Sequence, residues 1–338
     1  MNRKNLVISF VLSFVIILVS SMGVAAEKPT VDPTVTQLAS NLGPTSGSTV
    51  GPDGALYVAE REVGQDGRIL RVDPQTGDAA EFASGLPQAQ IPPGGVVDVA
   101  FIGNTAYALV TVVNDPLLGG GSAAAGIYRV DSPSSFTLIA DIGLFSMNNV
   151  PTNTDIALTT GVQYALETFR GGFLVTDGHH NRVLRVTLDG VVSEMLAFDN
   201  TVPTGLEVHG NTVYIAEAGP TPHDPEDGKV VAFGPKSSTA TEVASGAPLL
   251  VDVERGRGRT LYALSQGVWN GVGAGDPADA DTGSLLEVNA DDTFTIVTED
   301  LDRPTSLEVI GNTAYVVTLT GEIWKIDGIG APPYGVSR

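Results

Sequence analysis

Ile-Gly-Asn-Thr-Ala-Tyr occurs twice in this chain, at Ile102–Tyr107 and again at Ile310–Tyr315. Looser copies are HGNTVY (His209–Tyr214), GPDGALY (Gly51–Tyr57), RGGFL (Arg170–Leu174) and GRTLY (Gly258–Tyr262). Each is a tight-turn signal leading into an apolar run, the mark of a strand after a hairpin. Aligned on Tyr57, Tyr107, Leu174, Tyr214, Tyr262 and Tyr315, the copies lie 50, 67, 40, 48 and 53 residues apart. A repeat of that length, holding several short strands, predicts the blade of a β-propeller.

Two more strands follow each aligned position. The first set reads GRILRVD (Gly67–Asp73), GIYRVD (Gly126–Asp131), RVLRVT (Arg182–Thr187), KVVAFG (Lys229–Gly234), SLLEV (Ser284–Val288) and EIWKID (Glu322–Asp327). The outer set has five members downstream: Ala79–Leu86, Phe136–Gly143, Val192–Asp199, Ala240–Ala247 and Phe294–Leu301. The sixth, TVTQLASNL (Thr34–Leu42), precedes every complete blade. An all-β, six-bladed propeller closed by an N-terminal outer strand is therefore predicted over residues 34–328, because this closure leaves no sheet edge open. The 67-residue interval gives blade three an insertion, with an ambiguous helix-period stretch near Asp155–Phe169.

With strands named A to D outward from the axis, the B–C and D–A loops share one face, termed the top. The long B–C loops, Thr111–Gly126, Ala218–Gly228 and Gln266–Gly283, place the expected binding face there.

Residues 1–26 read as a cleaved export signal: Arg3 and Lys4, then an apolar run from Leu6 to Val19, then Val24-Ala25-Ala26. A short linker (27–33) and a C-terminal tail (329–338) flank the propeller. Location outside the cytoplasm is expected, and cysteine is absent, so no disulfide supports the fold. The chain has 39 acidic and 18 basic residues. Setting aside Arg3 and Lys4 leaves a net charge of −23. Such a surface repels nucleic acid and anionic lipid, which are held by Lys and Arg. A monomer with a small-molecule, polymer or protein ligand is expected.

The order of GPDGALYVAE (Gly51–Glu60), GGFLVTDGHHNRVLRVTLDG (Gly171–Gly190), VPTGLEV (Val202–Val208) and YIAEAG (Tyr214–Gly219) resembles the ScyD/ScyE family. These are exported proteins named for the scytonemin pigment cluster of cyanobacteria. The resemblance implies a six-bladed propeller of the TolB-like, NHL-like class and no settled activity.

Three constellations carry candidate chemistry. Glu60, Asp177 and Glu217 end strand B, each three residues after its aligned position. Each either faces a ligand or caps the following turn, and Asp177 with Asn181 fits turn capping. Three of the four histidines fall on predicted top loops: His179, His180 and His223. With Glu217, Asp224, Glu226 and Asp227 they are candidate general bases, ligand contacts or metal ligands, set against the plain alternative of solvated loop residues. The third is a ring of strand A acids, Asp98, Glu167, Glu207, Asp252 and Glu308, with Ser48 and Thr49 in blade one. Carboxylates around one axis repel unless water, protonation or a cation relieves them, and calcium suits an oxygen-only set. The alternative turns these side chains between blades onto backbone amides.

The pairs Pro44-Thr45, Pro151-Thr152, Pro203-Thr204 and Pro304-Thr305 are expected to fix the start of strand A. Asp276, Asp279, Asp281 and Gly283 lack the spacing of a calcium loop and are expected to be solvated. No HExxH or Gly-x-Ser-x-Gly motif is present. An exported binding propeller is the expected function; a cation-dependent hydrolase or lactonase of gluconolactonase-like type is the alternative.

Overall fold

The computed structural model describes residues 32–152, 158–221, 223, 226–271, 273 and 276–330. Six four-stranded antiparallel sheets stand in a ring. β1 (Thr34–Ala39) comes first in the chain and last in the ring. Blade one is β2 (Thr45–Val50), β3 (Leu56–Glu60), β4 (Gly67–Val72) and β5 (Ala79–Leu86). Blade two is β6 (Gly95–Ile102), β7 (Thr105–Thr111), β8 (Gly126–Ser132) and β9 (Ser135–Asp141). Blade three is β10 (Gln163–Phe169), β11 (Gly172–Asp177), β12 (Arg182–Val186) and β13 (Val192–Ala197). Blade four is β14 (Pro203–His209), β15 (Thr212–Glu217), β16 (Gly228–Phe233) and β17 (Thr241–Ala247). Blade five is β18 (Leu250–Arg255), β19 (Leu261–Ser265), β20 (Gly283–Val288) and β21 (Phe294–Leu301). Blade six is β22 (Pro304–Ile310), β23 (Thr313–Thr318) and β24 (Ile323–Asp327), with β1 as its outer strand.

β1 pairs antiparallel with β24 from Thr34↔Asp327 to Ala39↔Ile323, so the first strand closes the ring as the repeat count predicts. The closing strand is shorter than Thr34–Leu42: it ends at Ala39, and the Leu42 amide bonds the Gly321 carbonyl beyond it. The expected signal segment lies outside the described residues, and no helix among those described is long and apolar enough to cross a membrane.

Six apolar clusters stand one at each blade–blade boundary, and a smaller seventh joins Val202, Ala218, Leu249 and Ala278. Strand B of each blade is packed on both faces, which is why β3, β11 and β19 are buried at every position. The aligned aromatic wedges between blades. Tyr57 meets Phe82 and Phe101 edge-on, and Tyr315 donates from its hydroxyl to the Pro74 carbonyl at 3.1 Å. Repetition of that residue is thus a packing requirement.

Blade three differs from expectation. The helical segment is α1 (Ile142–Asn148), capped by Asp141 accepting from the Leu144 amide, and it shortens the predicted outer strand Phe136–Gly143. Gln163–Phe169, the end of the ambiguous stretch, is strand A; residues 153–157 lie outside those described. Pairing with β11 over Gln163–Phe169 overrides a helical period that has no cap of its own.

The Pro-Thr pairs act structurally, with the hydroxyl donating to carbonyls rather than serving an amide. Thr204 Oγ1 donates to the Leu250 carbonyl of the next blade at 2.9 Å, and Thr305 Oγ1 to the Ser46 carbonyl at 2.8 Å. Thr45 donates to Thr318. Pro151-Thr152 instead lies in the insertion ahead of strand A.

Candidate ligand-binding site on the channel axis

Strand A lines the axis, and its register settles which acids share a level. Each aligned B-strand residue has a strand A partner: Thr49, Ala100, Glu167, Glu207, Glu254 and Glu308 for blades one to six. The glutamate tier is therefore Glu167, Glu207, Glu254 and Glu308, on four consecutive blades. Glu254 is absent from the sequence-based set. Counting back from Tyr262 selects Asp252 instead, because blade five has a five-residue A–B loop and a register shift between Leu250 and Asp252. Asp98 and Asp252 stand two residues nearer the top. The expected ring of five is two levels.

The upper pair is held by backbone. Asp98 Oδ1 accepts from the Val99 amide at 2.8 Å and Oδ2 from Leu166 of blade three at 2.6 Å. Asp252 repeats this with Val253 at 2.9 Å and Leu307 of blade six at 2.8 Å. The preceding blade presents glycine at each: a Cβ on Gly47 would come 2.2 Å from Asp98 Oδ1, and one on Gly205 2.3 Å from Asp252 Oδ1. Ser306 occupies the same slot in blade six and accepts from the Ser48 amide at 3.0 Å.

Of the tier glutamates, Glu167 and Glu207 accept from the following backbone amides, Thr168 and Val208. Glu167 accepts a hydroxyl proton from Thr168 at 3.0 Å. All four are half-buried, since the channel beside them is open. Burial and then mutual repulsion raise the carboxyls of Glu254 and Glu308 well above the usual range and that of Glu207 to about 7, and burial raises Glu167. Burial likewise lifts Asp98 well up and Asp252 to about 7, against the pull of their backbone bonds. Among the described residues no three His, Asp or Glu groups converge so as to hold a metal ion.

Above them the axis opens into a cavity of about 660 Å³ on the top face. Of the top-loop candidates, His179 and His223 line it, whereas Glu60, Asp177, His180, Asn181 and Glu217 do not. Of the channel acids, Asp98, Glu167, Glu254, Asp252 and Glu308 reach it, and Glu207 does not. Tyr164 bonds His179 Nε2 through its hydroxyl at 2.8 Å, and burial pushes the His179 ring down to about 4, so it is neutral at physiological pH. His223 is lowered too, bonds the Ala218 carbonyl through Nδ1 at 3.2 Å, and stands edge-on to Trp269 of the next blade at 5.6 Å. Arg61, directly after Glu60, is the one Lys or Arg side chain in the wall among the described residues. The sequence reading overlooked it and Tyr164; the signal for Arg61 was a basic residue opening a top loop in a strongly acidic chain.

The remaining candidates are built into the scaffold. Asp177 is fully buried and receives His180 Nδ1 at 3.2 Å, Arg182 Nε at 2.8 Å and Gln163 Nε2 at 2.8 Å. Burial opposes its charge, but these partners hold its carboxyl below the usual range. Arg182 continues to Ser146 Oγ and the Asn149 carbonyl, which pins α1 to blade three. His180 Nε2 meets the Leu158 carbonyl at 3.1 Å. Asn181, at φ 54°, closes the turn. Glu60 pairs with Arg68. Glu217 has Lys229 Nζ at 3.5 Å, and burial raises its carboxyl to about 7. Asp224 lies outside the described residues.

Similar architecture occurs in enzymes of several kinds. The chain superposes on the PQQ-bound aldose sugar dehydrogenase of Streptomyces coelicolor with a TM-score of 0.58 at 15% identity, covering 89% of this chain and 99% of that one. A gluconolactonase of Xanthomonas campestris gives 0.58 at 14%, covering 88% and 90%. Virginiamycin B lyase from Staphylococcus aureus gives 0.52 at 13%, covering 87% and 98%. No family model and no curated protein matches the chain. At these identities the likeness shows the fold: a six-bladed β-propeller with gluconolactonase-like and virginiamycin B lyase-like neighbours.

Proposed function

We propose that this chain is an exported, monomeric binding propeller of ScyD/ScyE type, which holds a small molecule, or a segment of a polymer or protein, on its top face. The observation that carries this reading is the axial cavity of about 660 Å³, with acids at its lower end and loops of several blades in its wall. Among the described residues no nucleophile with a base and an orienting partner lines it, which favours binding over turnover. Trp269 stands against His223 at the rim, so occupancy of the cavity reports through tryptophan fluorescence. A fluorescence change that saturates with ligand and disappears in His223→Ala supports the reading; a change unaltered in that variant counts against it.

The second reading is hydrolysis of a lactone, favoured by the Tyr164–His179 contact at the cavity wall and by the gluconolactonase among the structural neighbours. Acid release from gluconolactone above the spontaneous rate, lost in His179→Ala, would establish it. Release at the spontaneous rate, with calcium present or chelated, would leave the binding reading standing.

A further inference from the structure

Arg61 is an anomaly of charge. It sits in the cavity wall of a chain with 39 acidic residues, yet forms no ion pair with any described residue. Its Nε donates to Ser46 Oγ and its Nη1 to the Gly94 carbonyl at 3.4 Å, which orients the guanidinium and leaves Nη2 uncommitted. Burial lowers it to about 10, so it stays charged at neutral pH, and no carboxylate figures among the charges acting on it. A desolvated cation without a counter-ion is costly, and a planar donor fork matches a planar oxyanion. The cavity wall carries apolar side chains, among them Val63, Ala89, Val202 and Leu249, and the acids Glu62 and Asp276 besides those of the axis. Farther down the axis stand Asp98, Glu254 and Glu308, which repel any second negative charge.

We propose that the cavity is built for a small organic monocarboxylate, whose carboxylate pairs with Arg61 and whose uncharged body lies along the axis toward the acidic floor. This rests on the reading of the cavity as the binding site, and adds its ligand class. Phosphate and dicarboxylates, with a second charge to place, are rejected by the same floor.

The test uses the histidine ring resonances of the purified protein, since there are only four histidines. His179 and His223 line the cavity, while His209 ends strand A at the opposite face and serves as control. The probes are benzoate, uncharged benzyl alcohol and the dianion phthalate. Benzoate is expected to shift His179 and His223 but not His209, and to bind at least about tenfold more tightly than either other probe, the size of one charged hydrogen bond. Benzoate affinity should fall with added salt and benzyl alcohol affinity should not, a comparison that needs no variant. Arg61→Gln should lose the benzoate preference and keep benzyl alcohol binding. Equal affinity for the probes, or a benzoate preference intact in Arg61→Gln, overturns the ligand class while leaving the cavity as a site. No shift at His179 and His223 with any probe overturns the cavity reading and this inference with it.

Discussion

Asp98 and Asp252 occupy equivalent places three blades apart: each accepts its own following amide and an amide of the next blade's strand A. Each also lies over a glycine of the preceding blade, Gly47 or Gly205. Blades one to three thus match blades four to six along the axis, an approximate two-fold relation inside a six-fold ring. The two carboxyls fasten adjacent blades.

Replacing either residue should therefore loosen a blade boundary. Asp98→Asn or Asp252→Asn leaves one acceptor for two amides and faces an N–H with an NH2. A loss of about 1–3 kcal/mol is expected for each, read from denaturant unfolding at pH 7. An unchanged midpoint in both variants would show that these bonds carry no stability.

The acids of the channel make stability depend on pH in an unusual direction. Carboxyls raised in the folded state stabilise it below their unfolded values, and that contribution is lost as pH rises through the folded ones. With Asp252 and Glu207 near 7, and Glu254 and Glu308 also raised well above the usual carboxylate range, the melting temperature should fall between about pH 5 and pH 8. Glu254→Gln with Glu308→Gln should flatten that slope and stabilise the protein at pH 8 by at least about 1 kcal/mol, the value of a single pKa unit. A steeper decline in the double variant would refute the assignment of like-charge repulsion.

Asp177 works in the opposite sense. Its folded carboxyl lies below the usual range, so its contribution is complete above about pH 4 and disappears in stronger acid. At neutral pH, Arg182→Ala strands that buried charge and should cost about 3–5 kcal/mol. His180→Ala should cost about 1–3 kcal/mol by removing a buried donor. His223→Ala, at the rim, should stay within about 1 kcal/mol of the parent. If His180→Ala is as mild as His223→Ala, the buried network has been overvalued.

Closure is tested at β1. Deleting Thr34–Ala39 removes every partner of β24 on its outer side and uncovers Leu38's contacts with the boundary between blades six and one. Aggregation, or a loss of cooperative unfolding, is the expected outcome. A soluble deletion variant that melts at the parent temperature would mean another element seals the ring.

Much of the architecture was legible along the chain. The repeated turn leading into an apolar strand, with tyrosine in five of the six copies, marks each blade because the same wedge is needed at successive boundaries, and the displaced outer strand announces the closure. The histidines illustrate the limit. His179 and His180 are neighbours in sequence, yet one lines the cavity and the other is locked on Asp177, since a 3-10 turn sends adjacent side chains to different sides. Asp177 reads in the sequence as a turn acid, and its tie to Arg182 and α1 spans an insertion with no periodic signal. Glu254 escaped because a longer A–B loop and a β-bulge break the count from Tyr262, and register belongs to the paired strands rather than to either one.

By itself the sequence determined the number of blades, the closing strand, the loop-bearing face and the acidity of the axis. These follow from local periodicity, turn chemistry and charge, each carried by residues close together in the chain. Only the tertiary structure decided which acids share a level, which histidine meets the cavity, and that Arg61 stands there without an acidic partner. Those relations join strands from blades far apart in sequence, and whether a charge is paired or alone is fixed by what folding brings beside it.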